Sequence, residues 1–237
     1  MASSSAAAEE DCLVHVAFNS KATHFVAATA TGIRVFRSTP LKHVFSKSGF
    51  ACPDAGEVIS ADVALSGSLV AVVFRDPADT GSDDDRVRLW SELTGKMLDK
   101  DMNPSSHGAV RAVRQAGNLV LVAGDGRATL HETSKRRTRR ADEFETGPNP
   151  GGVCALAQRA DRAGQPYVLA CPLPPGKGGR VQVRGSRGRR VDVDAHSSGV
   201  ACVALSRDGR LLATAGSKGT LLRVFSTADG KKLQEIR

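Results

Sequence analysis

Aromatic residues are scarce in this 237-residue chain: they make up 4% of it, with one Trp and one Tyr. Val, Ala and Leu must therefore supply most of the hydrophobic core. The five cysteines, Cys12, Cys52, Cys154, Cys171 and Cys202, are odd in number and form no Cys-x-x-Cys pair. This pattern indicates neither a metal site nor a disulfide framework, so we expect buried, reduced thiols in a cytosolic protein.

Long apolar stretches are also missing. No run approaches the roughly 18 consecutive apolar residues that would indicate a membrane-spanning helix. The N-terminus, MASSSAAAEEDC, has no basic segment followed by an apolar run, so no secretory signal is expected. We expect residues 1–11 to be disordered, residues 12–237 to form one domain, and any membrane contact to be peripheral.

Catalytic motifs are absent as well. Gly176-Lys-Gly-Gly179 lacks both the Walker spacing and the Ser or Thr after the Lys. The adjacent carboxylates Asp83-Asp-Asp85 end a polar stretch, DPADTGSDDD, which we interpret as a solvated loop. We therefore expect no enzyme activity, no cofactor and no bound metal.

The net charge of +8 favours an anionic partner without saying which. Two cationic runs contribute, KRRTRR at 135–140 and RGSRGRR at 184–190. We interpret both as solvated loops that add non-specific attraction to anionic membranes. Nucleic acid is not the expected partner, because neither run has the interleaved aromatic residues that single-strand binding favours. A basic nucleic-acid adaptor is left open as an alternative class.

A short motif recurs along the chain, as a small residue, any residue, Arg, Val and an aromatic residue. Its copies, two of them weak, are Gly32–Phe36, Arg86–Trp90, Ala128–Glu132, Gly179–Val183 and Leu221–Phe225. They stand about 42 to 54 residues apart, close to the repeat of WD-type propeller blades, each a four-stranded sheet. The pattern predicts an all-β, WD40-like β-propeller with about five blades.

Turn signals place hairpins inside these repeats. Four hairpins are predicted: 24–28 with 33–36, 68–74 with 87–90, 118–123 with 128–132, and 167–171 with 180–183. The third has Gly124-Asp-Gly126 at its turn, which is a strong hairpin signal.

The last stretch, LLATAGSKGTLLRVFSTADGKKLQEIR, combines short strands and tight turns with many hydroxyls and cations. Fixed guanidinium groups and hydroxyl donors suit a phosphate group. Arg223 and Thr227 are four apart, so an extended strand would place them on the same side.

Within it, SKGTLLRVFSTADGKKLQEIR resembles the signature blade of the PROPPINs, the WD-repeat phosphoinositide-interacting proteins of autophagy. In that family a Lys-Gly-Thr-x-Ile-Arg-Val-Phe strand leads into a Phe-Arg-Arg-Gly motif. Ile236 stands where the Phe would be, and Arg237 is the first Arg. The resemblance extends over about residues 13–237 and implies that some five of seven expected blades are present, as a partial or open ring.

The resemblance also implies a function. It implies binding of phosphatidylinositol 3-phosphate or 3,5-bisphosphate on autophagosomal precursor and endosomal or vacuolar membranes, together with docking of other autophagy proteins. The implied first lipid pocket consists of His196, Ser198, Ser217, Thr220, Arg223, Thr227 and Arg237. His196 would assist more strongly when protonated at mildly acid pH.

The family's second pocket, built with a sixth blade, has no counterpart in this sequence. One contact binds more weakly than two tethered ones, so we expect this chain alone to bind membranes poorly. The alternative function is a generic WD-repeat scaffold that binds proteins and no lipid.

Overall fold

The computed structural model describes residues 12–50, 57–64, 67–75, 85–98, 102, 109–134, 138–158, 167–173 and 179–237. The segment 1–11, expected to be disordered, lies outside the described residues, as do residues 76–84 of the acidic stretch and residues 135–137 of the first cationic run.

Within these described ranges, twenty strands form five sheets, each with four antiparallel strands in sequence order. The first sheet holds β1 (Leu13–Phe18), β2 (His24–Thr29), β3 (Gly32–Arg37) and β4 (Lys42–Ser48). The second holds β5 (Glu57–Val63), β6 (Leu69–Arg75), β7 (Arg86–Ser91) and β8 (Lys96–Met97). The third holds β9 (Val110–Ala116), β10 (Leu119–Gly124), β11 (Arg127–Thr133) and β12 (Thr138–Glu145). The fourth holds β13 (Ala155–Gln158), β14 (Tyr167–Pro172), β15 (Gly179–Gly185) and β16 (Arg189–His196), with a 3-10 turn at Ser186–Gly188. The fifth holds β17 (Val200–Leu205), β18 (Leu211–Gly216), β19 (Leu222–Ser226) and β20 (Lys232–Ile236).

The sheets are the blades of a β-propeller, as the repeats predicted. Four of the motif copies lie on the third strand of their sheets, and the fifth begins one residue before its third strand, β19. All four predicted hairpins are present, as the pairs β2–β3, β6–β7, β10–β11 and β14–β15. The first strands lie innermost, since β1 contacts β5, β5 contacts β9, β9 contacts β13, and β13 contacts β17. The five blades follow one another in an open ring.

Small aliphatic side chains pack the inner blades on both faces. On β6, Val70 and Val72 belong to the cluster shared with blade one, while Ala71 and Val73 belong to the cluster shared with blade three. Alternate residues of a strand point to opposite faces. A strand buried on both faces is therefore almost wholly apolar, and Val fills a narrow seam where few aromatic residues would fit.

The two end blades each keep one face uncovered. In blade one Phe18 is 56% exposed and packs at a tilt against Phe25, which in turn stacks on Phe36. In blade five Leu222 and Ile236 pair across β19 and β20 and remain exposed. Apolar exposure of this kind is what an open ring leaves at its two ends.

The cationic runs are more ordered than expected. Residues 138–140 belong to β12 rather than to a loop, and residues 184–190 form the tight β15–β16 hairpin. Several of their arginines are also paired: Arg139 with Glu132 at 2.8 Å, Arg140 with Glu143 at 2.7 Å, Arg184 with Asp142 at 3.1 Å, and Arg190 with Asp192 at 2.9 Å. Pairing removes much of the charge that a nucleic-acid surface would need.

The cysteines only partly follow the prediction. Cys154 and Cys171 are free and buried, but Cys12 and Cys202 are free and exposed; Cys52 lies outside the described residues. Cys202 and Ala204 are exposed on either side of the buried Val203, so Cys202 lies on the uncovered face of the last blade.

Asp85 corrects the interpretation of the acidic stretch as wholly solvated. Its carboxylate is buried and accepts hydrogen bonds from Arg75 Nε at 2.8 Å and Nη2 at 2.9 Å. The backbone N–H of Val110, in the next blade, donates to the same carboxylate at 2.7 Å. Asp85 therefore joins blades two and three.

Asp85→Ala should lower the free energy of unfolding by about 2–3 kcal/mol, because it leaves a buried Val110 N–H without an acceptor and removes a charge-assisted contact. Urea denaturation measures the change. Asp194→Ala is the matched control, since it removes an exposed ion pair with Arg180 and should cost less than about 1 kcal/mol. Equal effects of the two substitutions would contradict this role for Asp85.

Candidate functional site

The candidate site lies at one end of the seam between blades four and five. Strand β16 ends at His196, and a short turn leads from it into β17; a second turn, Ser217–Leu221, joins β18 to β19. Gly219 has a positive φ of 69°, a conformation that an L-residue adopts only with strain. The two turns enclose a small cavity of about 40 Å³, lined by His196, Ser197, Ser198, Gly216, Lys218, Gly219, Thr220, Leu221 and Arg223.

His196 is held inside this seam. Its Nε2 lies 2.9 Å from Thr214 Oγ1 in the neighbouring blade, and Gly216 leaves room for the ring, since a Cβ there would lie 3.0 Å from His196 Nδ1. Burial lowers the pKa of His196, and the nearby positive charge of Arg223 lowers it further. This opposes the expectation that His196 becomes charged readily at mildly acid pH.

Arg223 bridges the same two blades. Its Nη1 donates to the carbonyl of Ala195 on β16 at 2.7 Å, and its Nε donates to Glu235 Oε2 at 2.8 Å. In the sheet it stands between Thr214 and Glu235. The guanidinium is therefore fixed in position before any ligand arrives, which reduces the entropic cost of binding.

Glu235 pairs with three cations of the last blade. Besides Arg223, it pairs with Lys232 at 3.3 Å and with Arg237 at 3.5 Å. Hydrogen bonds from Arg223 and then Lys232 lower the pKa of Glu235, so its carboxylate stays charged. Arg237 is 83% exposed in its side chain and is free to turn toward another anion.

The structure brings four of the seven predicted residues together. His196, Ser198, Thr220 and Arg223 line the cavity, whereas Ser217, Thr227 and Arg237 do not. The backbone N–H of Ser217 donates to Gly199 at 2.8 Å and ties the two turns together.

Thr227 lies at the other end of β19. The strand ends at Ser226, so the alternation that would place Thr227 beside Arg223 does not extend that far. Thr227 is buried, its hydroxyl donates to the carbonyl of Gly209 at 2.6 Å, and its own carbonyl accepts from Arg189 Nη2 at 2.7 Å.

Lys218 is the cation that the predicted set omitted. It is exposed at the tip of the β18–β19 turn and lines the cavity. The Lys-Gly-Thr sequence of that turn could have identified it, since a glycine turn directs the residue before it into solvent.

Comparison with known proteins identifies the family of this chain. A PROPPIN family model matches residues 12–237. The chain belongs to the PROPPIN family.

Two curated PROPPIN relatives show how the chain compares. Autophagy-related protein 18e of Arabidopsis thaliana is 30% identical over 95% of this chain and 57% of its own length. Autophagy-related protein 18 of Aspergillus oryzae is 29% identical over 94% of this chain and 54% of its own length. The chain thus spans about half the length of the curated relatives it matches.

Solved structures show the same fold. Kluyveromyces lactis Hsv2 superimposes with a TM-score of 0.69 at 21% identity, over 95% of this chain and 63% of that one. KlAtg21, solved in complex with the coiled-coil of AgAtg16, superimposes with a TM-score of 0.71 at 17% identity, over 95% of this chain and 70% of that one.

The described residues contain no group of three or more His, Cys, Asp or Glu side chains placed to hold a metal ion. Among them there is also no helix with the length and hydropathy that crossing a membrane requires.

The pKa of His196 should be measurably below 6.5, the ordinary value for a histidine. The folded chain would then hold this proton less tightly than the unfolded chain, so the contribution of His196 to stability falls as the pH drops below 6.5. Arg223→Gln should raise the pKa of His196, because it removes a nearby positive charge. Imidazole NMR titration checks both values. Arg210→Gln serves as the control, and a pKa that moves equally in both variants would contradict the assignment.

Proposed function

We propose that this chain is a peripheral membrane scaffold of autophagy that binds phosphatidylinositol 3-phosphate or 3,5-bisphosphate. The observation that carries the proposal is the convergence of Ser198, Lys218, Thr220 and Arg223 on one small cavity between blades four and five. Membership of the PROPPIN family supports the lipid class. The membranes would be those of autophagosomal precursors, endosomes or the vacuole.

The donors suit a phosphate monoester. Arg223 supplies a fixed guanidinium, Lys218 supplies an ammonium at the rim, and the hydroxyls of Ser198 and Thr220 supply neutral donors. Charged and neutral donors together satisfy the several oxygens of one phosphate, which a charge alone would not. A small cavity fits one phosphate group rather than the whole head group, so the inositol ring would stay at the surface.

The remaining predicted residues take supporting roles in this proposal. Arg237 is exposed next to Glu235 and would exchange that partner for a lipid phosphate. Ser217 and Thr227 hold the turns and the strand end in place through backbone contacts. In its neutral form His196 joins β16 to blade five through Thr214, and it does not act as a fixed positive charge.

Lys218→Gln should weaken binding to vesicles containing phosphatidylinositol 3-phosphate by about tenfold, since a charge-assisted contact is worth about 1.5–3 kcal/mol. Lys231→Gln is the matched control, because Lys231 is an exposed turn lysine at the opposite end of the same blade. Both variants lose one charge, so general attraction falls equally in both. Vesicle co-sedimentation measures the affinities, and equal losses in the two variants would contradict a site in this cavity.

A second candidate function, protein scaffolding, is favoured by another surface. A cavity of about 560 Å³ lies between blades two and three, and its lining includes Leu69, Leu93 and Leu98. Leu93 is largely exposed, and exposed apolar side chains beside a groove are typical of a docking site for a helix. KlAtg21 was solved with a coiled-coil partner, so we propose a helical segment of an autophagy protein as the ligand.

Leu93→Asp should abolish binding of such a coiled-coil segment, because a carboxylate would be buried against apolar side chains. Lys218→Gln should leave this binding unchanged. Fluorescence anisotropy with the coiled-coil segment of an Atg16 protein measures both, and undiminished binding by Leu93→Asp would rule out this groove.

A further inference from the structure

A second polar cavity lies at the centre of the propeller, apart from the site at the blade seam. Its volume is about 230 Å³, and its lining draws on the innermost strand of every blade, from Phe18 in β1 to Leu205 in β17. Ser20, Ser206 and Arg207 lie at the end formed by the first loop of blades one and five. It shares no lining residue with the cavity around Arg223. Ligand pockets for drug-sized molecules usually exceed about 300 Å³, so this one suits a ligand smaller than a drug.

Asp62 is the carboxylate of this cavity, and both of its oxygens already accept hydrogen bonds. Oδ1 accepts from the backbone N–H of Val63 at 2.8 Å, and Oδ2 accepts from that of Gln115 at 2.7 Å. Burial raises the pKa of Asp62 to about 7. Asp62 therefore joins blades two and three, and at pH 7 it carries only part of a full negative charge.

Gln115 is 4% exposed and leaves a donor without a partner. Its Oε1 accepts from the backbone N–H of Ala71 at 3.3 Å. That contact fixes which end of the amide is the oxygen, because a backbone N–H needs an acceptor. Nε2 is buried and has no hydrogen-bond partner among the described residues. A buried donor left in this state costs free energy. Gln115 also lines the cavity, so its side-chain amide would sense an ion bound there.

Two guanidinium groups line the same cavity. Arg114 donates from Nη1 to the carbonyl of Val113 at 2.8 Å. Within the described part of the chain, this leaves most of its N–H donors available. Arg207 is exposed at the mouth of the cavity. Two full positive charges thus face one carboxyl group, and the excess favours an anion.

We propose that the central cavity binds a small oxyanion, either inorganic phosphate or the phosphate of a small phosphomonoester. Arg114 offers a planar pair of donors that matches two oxygens of such an ion. Arg207 attracts the ion at the mouth, and Gln115 lies on the lining beside it. Ser20 is a hydroxyl donor on the same lining, whereas the hydroxyl of Ser206 already donates to Asp208 Oδ1 at 2.6 Å. An ion bound there would contact the innermost strands of several blades and so join them.

The test is a titration of the full chain with inorganic phosphate, followed by NMR of the Gln115 side-chain amide. The amide signal is assigned by its loss in Gln115→Glu, which keeps the acceptor for Ala71. Phosphate should shift this signal to saturation, and sodium chloride at equal ionic strength should not. Arg114→Gln should weaken phosphate binding at least tenfold, while Lys218→Gln and the exposed-arginine control Arg187→Gln should leave it unchanged.

Further titrations separate the sources of phosphate. Glycerol 3-phosphate should shift the Gln115 amide if phosphomonoesters enter. Soluble inositol 1,3-bisphosphate should shift the Gln115 amide less than inorganic phosphate at equal concentration, because its ring must also be accommodated. A Gln115 amide that does not respond to phosphate through the millimolar range would overturn the proposal, and so would equal responses to phosphate and chloride. If Gln115→Glu does not fold, triple-resonance assignment of the wild-type chain and the Arg114→Gln comparison still decide the outcome.

Discussion

Each inner sheet of this propeller must bury both of its faces against neighbouring sheets, and the rest of the structure depends on that constraint. It makes strands such as β6 apolar along their whole length and selects Val and Ala over larger residues. It also leaves an apolar face uncovered wherever a blade lacks a neighbour, as Phe18 and Leu222 show at the two ends. Asp85, Asp62 and Arg223 are polar groups of the seams that partners from two blades satisfy.

The polar residues of the seams are therefore both structural and functional. Asp85 accepts a backbone N–H from the next blade, Asp62 does the same nearer the axis, and Arg223 donates to a carbonyl across the fourth seam. Arg223 also lines the proposed lipid cavity. A side chain locked by its neighbours in this way presents its charge at a fixed place, and such preorganisation is what selective recognition of a phosphate needs.

The sequence predicted the blades well because their signals are local. Alternating strands, glycine turns and the recurrent third-strand motif all act within a few residues, and each was found where the pattern placed it. The failures depend on contacts between distant segments. Asp85 looks like part of a solvated acidic run until Val110 is seen beside it. Thr227 looks like a partner of Arg223 until β19 is seen to end at Ser226. Asp62 and Gln115 are far apart in sequence, and no local pattern pairs them.

The central claim is that fixed donors at the fourth seam, rather than net charge, recognise the lipid. The most direct measurement compares binding of the unaltered chain to vesicles of phosphatidylinositol 3-phosphate and to phosphatidylserine vesicles of equal surface charge, across a range of salt concentrations. Our account predicts a preference for the phosphoinositide that persists as salt rises, because hydrogen bonds in a cavity are screened less than general attraction. Equal binding to both vesicles, lost together as salt increases, would contradict it.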